Sequence, residues 1–399
     1  MCITNGTCIK DKKVTSCQDI FEKKVTSPCP SSLSGERVPI FSHFLSFSHI
    51  FAMPDFYTLL LGASGLTGKS VLQQMLSLPS YFPIIDLPTL TSNLELNHHI
   101  IIITRSQFDL GAEVEKISTM LQKSDLVEWK CVFNKSSNTL GYSTTIHDLI
   151  SICVNVEVTT IKEPDSTKWA QMIPHHIFIN DSSADLSVIS CLGSTSARSK
   201  RTGVARDWVD KTLNLDILKA ILNNDILSQK LSQYIIMTSF NNFAISRMFP
   251  YFKAKQELET NAHFLLQNHR ASIVILRPGP LIGKHGSASS FTVPELDDHL
   301  LHSILRYKKA IFHHYVRRLN EWKDVGIATR ASELVAQFSY NMPGAFFVGY
   351  PVKVLDCAHV IVTERMRRFK LPSLQLQKVT YFSSQQIDSY KAKNDISHI

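Results

Sequence analysis

No run of about 18 apolar residues occurs in this 399-residue chain, and its mean hydropathy is only −0.01, so the sequence offers no spanning helix. Any membrane contact would be peripheral. The eight cysteines include no C-x-x-C pair and no regular spacing with histidine, which removes the usual zinc site and a disulfide framework and leaves a reducing compartment as the default. A basic block is also missing. The 42 basic and 34 acidic residues are interspersed, and the resulting +8 favours an anionic partner, such as a cofactor phosphate or a lipid surface, without indicating nucleic acid. Neighbouring histidines at His98-His99, His175-His176 and His313-His314 lack a carboxylate partner, and adjacent strand residues point to opposite faces, so no metal is expected. What the chain has is core: 44% of its residues are hydrophobic.

The pattern of that hydrophobicity divides the chain. Residues 1–54 are rich in Lys and Ser, hold four of the eight cysteines, and read as a poorly ordered leader. Within it Ile40, Phe41, Phe44, Leu45, Phe47 and Phe51 recur at three- and four-residue spacing, the pattern of an interfacial amphipathic helix. A domain over 55–285 opens with an apolar strand at Phe56–Leu61, and further strands are expected at His99–Thr104, Val127–Phe133, Leu186–Leu192, Tyr234–Thr238 and Ser272–Leu276. Helices are expected at Leu66–Leu76, Arg206–Asn223 and Tyr251–Leu266. Strands alternating with helices imply an α/β fold, a doubly wound parallel sheet of Rossmann type covered on both faces. Segments 79–97 and 134–185 read as long insertions, 286–370 as a small C-terminal substrate-side region, and 371–399 as a poorly ordered tail.

Gly62-Ala63-Ser64-Gly65-Leu66-Thr67-Gly68 follows a strand and opens a helix, the context a dinucleotide fingerprint requires. Gly62 permits the tight turn, Gly65 lets a pyrophosphate approach the backbone, and Gly68 allows close helix packing, with Ser64, Leu66 and Thr67 completing the cradle. Three glycines at this spacing come from only 15 in the chain. A rival lies on the same residues: Ala63 to Ser70, including Lys69, is one Gly-to-Ala change from a P-loop, with Asp181 as its magnesium-site carboxylate. Downstream residues decide between the two. Tyr251 and Lys255 stand four apart on one helical face. An ammonium beside a phenol favours the phenolate, which suits proton exchange with a carbonyl or alcohol. Ser239, at the end of the preceding strand, can hydrogen-bond the same oxygen. Arg105 stands at the end of the second strand, where an acidic residue would bind the ribose hydroxyls of NAD; a guanidinium there grips a 2′-phosphate instead and points to NADP(H).

The motifs Leu61 to Gly68, Ile189-Ser190-Cys191-Leu192-Gly193-Ser194-Thr195, Phe249 to Glu259 and Ile275 to Leu281 together resemble the atypical short-chain dehydrogenase/reductase-like proteins. The resemblance is to the Tat-interacting protein group and, more closely, the fungal mitochondrial outer-membrane Fmp family. It spans roughly residues 56–285. It implies catalytic positions for Ser239, Tyr251 and Lys255, and a cofactor lined by Leu192, Gly193, Pro278 and Gly279. Where relatives carry small residues after the serine, this chain has Phe240-Asn241-Asn242. The expected function is NADP(H)-dependent hydride transfer with a small-molecule carbonyl substrate, and the competing reading is a dinucleotide-binding regulatory or scaffold protein with little turnover. With the leader, the resemblance also implies a peripheral location on the cytosolic face of the mitochondrial outer membrane, with the cytoplasm as the alternative.

Overall fold

The computed structural model describes residues 51–52, 55–81, 93–121, 129–146, 150–179, 183–194, 199, 203–240, 249–279, 281–282, 352–370 and 378–396. Of the expected leader helix only Phe51-Ala52 are described, and they form a short strand paired parallel with Leu94-Glu95 rather than a helical turn; Asp181, His313-His314 and most of the 286–370 region lie outside these residues. Among the described residues no helix is long and apolar enough to cross a membrane.

The core is one sheet. Apart from the two-residue strand Phe51–Ala52, which pairs with Leu94-Glu95, its strands are β1 (Phe56–Leu61), β2 (Leu94–Thr104), β3 (Lys130–Asn134), β4 (Thr139–Ile146), β5 (Ile150–Lys162), β6 (Asp185–Ser190), β7 (Leu231–Met237), β8 (Ser272–Arg277) and β9 (Val379–Ser383). Across the sheet they run β9-β8-β7-β6-β1-β2-β5-β4-β3. From β9 to β5 every pair is parallel, whereas β4 and β3 are added antiparallel beyond β5. Numbered by themselves, the seven parallel strands stand in the order 3-2-1-4-5-6-7, the doubly wound arrangement, and the order reverses between β1 and β6.

Period-2 alternation on β1 feeds both faces. Phe56 and Leu60 join one apolar cluster with Val71, Leu72, Met75 and Leu76 of α1 (Leu66–Leu76) and with Cys357 and Ile361 of α7 (Val354–Lys370). Leu59 and Leu61 join the other with Trp169 of α3 (Trp169–His176), Ile217 and Leu218 of α4 (Leu213–Leu222) and Leu258 and Ala262 of α6 (Pro250–Leu266). Strands buried on both sides give the continuous apolar runs seen in the sequence.

Three expectations are corrected. Residues 134–185 are no irregular insertion, because β5 is the third parallel strand; its outer part borders an antiparallel extension, so half its side chains remain polar. The segment 79–97 already contains the start of β2, which begins at Leu94. The tail beyond residue 371 supplies β9 and α8 (Ser384–Ile396), and α7, inside the supposed substrate-side region, packs against α1. The strand expected at Val127–Phe133 is β3, which runs antiparallel at the sheet edge.

At the end of the sheet opposite the glycine-rich turn lies a buried polar chain. Arg365 of α7, with no exposed surface, donates from Nε to Thr58 Oγ1 (3.1 Å) and forms an ion pair with Asp185 (2.5 Å). Thr58 Oγ1 meets His98 Nε2 at 2.8 Å, and His98 Nδ1 meets Tyr81 Oη at 2.8 Å, which itself donates to the Met75 carbonyl (2.7 Å). Counting donors leaves one consistent pattern, in which Nδ1 carries the only proton of a neutral imidazole. Burial holds the His98 pKa well below its usual 6.5, with Arg365 pushing the same way. Below about pH 6.5 the unfolded chain therefore binds a proton that the folded chain refuses. This part of the stability is complete above that pH and declines on acidification by up to about 1.4 kcal/mol per pH unit. Urea unfolding of His98→Asn between pH 7 and pH 5 should show a shallower pH dependence than the parent; equal slopes would contradict this account.

Candidate functional site

The crevice opens where the strand order reverses, at the carboxyl ends of β1 and β6. Gly62 there has φ +83°, a conformation L side chains avoid, and a Cβ on it would lie 2.8 Å from the Cys191 carbonyl oxygen. Gly68 is tighter still, since a Cβ would meet the Gly62 carbonyl at 2.1 Å. The N-terminus of α1 is thus pressed onto the turn. Gly65 is its N-cap, no side chain caps it, and its first turn carries no acidic residue, so its amides and dipole face the crevice uncompensated. Gly62, Ser64, Gly65, Arg105, Leu192 and Gly193 line the crevice, while Thr67 is buried in α1 behind it. Lys69 turns away: its Nζ lies 2.9 Å from Glu113 of α2 (Leu110–Leu121). The P-loop reading loses both its lysine and its strand order.

Ser239 lies just past β7 and is buried, with an Oγ that has no hydrogen-bond partner among the described residues. A buried hydroxyl usually has a partner. Its neighbourhood is braced. Thr238 Oγ1 donates to Glu259 (2.6 Å), Phe240 N donates to the Pro278 carbonyl (2.7 Å), and Arg277 forms a bidentate pair with Glu259. Glu259, one turn beyond Lys255 on α6, therefore ties the ends of β7 and β8, and with them the Pro278-Gly279 turn, to the helix that carries Tyr251.

Lys255 is 3% exposed, and its Nζ donates to the Leu192 carbonyl (3.1 Å) and lies 3.3 Å from Asp210 Oδ1. The structure thus brings Lys255 onto the Leu192-Gly193 segment beside the glycine-rich turn. Tyr251 starts α6, half-buried, with the Arg206 guanidinium 3.9 Å above its ring centroid. Cys191 is inert by environment, since burial pushes its thiol up to about 12 although Lys255 pulls the other way. The described residues contain no group of three metal-ligating side chains. His98 is taken up by Thr58 and Tyr81, and His99 by Glu157.

Sequence reasoning missed Asp210, Arg206, Glu259, Ser166 and Trp169. Glu259 was findable, standing four residues after Lys255 on the same helical face. Asp210 was not, because its position depends on an irregular helical turn. Ser166 and Trp169, which line the crevice facing Arg105, lie beyond β5, inside a segment read as an insertion.

Comparison with known proteins gives a match to the HIM1 family over residues 158–311. Protein HIM1 of Saccharomyces cerevisiae is 26% identical, covering 83% of this chain and 97% of that protein. Among solved structures, similarity is found to a 3-ketoacyl-ACP reductase from Sinorhizobium meliloti, with 10% identity, 83% of this chain and 98% of that one covered, and a TM-score of 0.40. The NADPH-dependent 3-quinuclidinone reductase from Rhodotorula rubra has 10% identity, coverage of 89% and 98%, and a TM-score of 0.39.

Proposed function

We propose that the chain is an NADP(H)-dependent oxidoreductase acting on a carbonyl or alcohol, as its resemblance to the Tat-interacting group and the Fmp family implies. The observation that carries this reading is Lys255, on the helix of Tyr251, seated on the carbonyl of Leu192, which lines a crevice that admits no side chain at Gly62. The residues fit a dinucleotide: uncapped amides of α1 for the pyrophosphate, Arg105 for a 2′-phosphate, and Lys255 for the nicotinamide ribose. NADP(H) supplies or accepts the hydride. Tyr251 exchanges the proton with the substrate oxygen, and Ser239, whose Oγ has no partner among the described residues, donates a hydrogen bond to it.

Direct binding measurements with NADPH and NADH test the cofactor assignment. NADPH should bind the more tightly, and Arg105→Ala should remove roughly tenfold or more of that preference, the scale of a charge-assisted contact. Equal affinities, unaltered by the substitution, would overturn it. A binding protein with little turnover is favoured by one observation, the guanidinium of Arg206 over the ring of Tyr251. NADPH binding without oxidation of NADPH across aldehydes, ketones and quinones would select that reading.

A further inference from the structure

Asp210 reaches the site through a π turn. Residues Trp208–Thr212 form five residues of π-helix immediately before α4, a wider turn that rotates side chains away from the register of a regular helix. The Val209 carbonyl inside this turn is taken by the side chain of Asn214 (Nδ2, 3.0 Å), whose Oδ1 in turn accepts from Ser190 Oγ, and Asp210 is left 1% exposed. Its Oδ1 accepts from the Ser194 amide (3.2 Å) and lies 3.3 Å from Lys255 Nζ; its Oδ2 lies 3.3 Å from Arg206 Nε without a hydrogen bond. One carboxylate therefore touches the segment after β6, the lysine, and the arginine that covers Tyr251.

We propose that Asp210 is a positioning residue that aims Lys255 at the cofactor. A lysine ammonium sits on a flexible stem and rotates freely about its last bond, so burial alone gives its three N–H groups no direction. A fixed acceptor and a fixed counter-charge change this. With one N–H on the Leu192 carbonyl and the Asp210 carboxylate 3.3 Å from Nζ as its ion-pair partner, the ammonium is anchored from two sides, and an N–H that does not face Leu192 is left for a ribose hydroxyl. Asp210 also offsets the lysine charge where both side chains are buried. The inference rests on the reading of Lys255 as the residue that holds the cofactor.

The test is a double-mutant cycle on NADPH affinity in the full-length protein, using Asp210→Asn, Lys255→Met and the pair. Asparagine keeps an acceptor for the Ser194 amide and removes only the charge. Asp210→Asn should weaken NADPH about tenfold when Lys255 is present and less than about twofold when it is Met. An unchanged affinity in Asp210→Asn overturns the proposal and leaves the functional reading standing; so does an equal loss in both backgrounds, which would place the effect in the Ser194 segment. A parent protein that binds no dinucleotide overturns the functional reading, and this proposal with it. Should Asp210→Asn fail to fold, recovery of folding in the double variant supports the pairing, and its failure to recover overturns it.

Discussion

Tyr251→Phe should fold, bind NADPH as the parent does, and lose roughly 10²–10⁴-fold in turnover, the contribution of a positioned proton donor. The substitution removes one oxygen. The ring keeps its contact with the Arg206 guanidinium and its edge-to-face contact with Phe252 (centroids 5.1 Å apart), so the start of α6 has no reason to move. Lys255 is held by Leu192 and Asp210 rather than by the phenol, and cofactor affinity should be preserved for that reason. The measurement pairs NADPH affinity with initial rates on the best carbonyl of a panel. Equal rates in the variant and the parent would remove Tyr251 from the chemistry.

Arg365→Met should lower stability by about 3 kcal/mol or more, read from urea or thermal unfolding. The guanidinium has no exposed surface and serves three acceptors: Thr58 Oγ1, the Tyr57 carbonyl at 3.1 Å and Asp185. Methionine occupies similar space but removes the guanidinium's hydrogen bond from each of the three. Asp185 is partly exposed and recovers some hydration, which keeps the loss at the lower end for a buried pair. Adding Asp185→Asn should restore part of it. An unfolding midpoint equal to the parent's would show that the network contributes nothing net.

Elements buried on both faces were legible in the sequence. The apolar runs of β1 and β8 were placed within one residue at each end, because no polar alternation competes there; α6, buried along one face only, was placed as closely from its helical spacing. β5 alternates instead, with Asn155 and Glu157 between Val154, Val156 and Val158, and its strand character was hidden inside a polar stretch. β9 was missed for a related reason: as an edge strand it buries little, so Val379-Thr380-Tyr381-Phe382-Ser383 carries no apolar run to announce it. The glycine-rich turn and the Tyr251 and Lys255 spacing were visible because each depends on local sequence alone. The partnership of Lys255 with Asp210, 45 positions earlier, depends on a π turn for which no composition is diagnostic.

The position of Arg365 in the chain also bears on synthesis. β1 and β6 emerge early, carrying Thr58 and Asp185 in positions that require a guanidinium made 307 and 180 residues later. β8, likewise, keeps an open edge until β9 follows it. A growing or truncated chain that stops before residue 365 therefore leaves Thr58 and Asp185 without the guanidinium that completes their hydrogen bonds and leaves the edge of β8 open to other strands, so this end of the sheet is finished only when the last segment has been made.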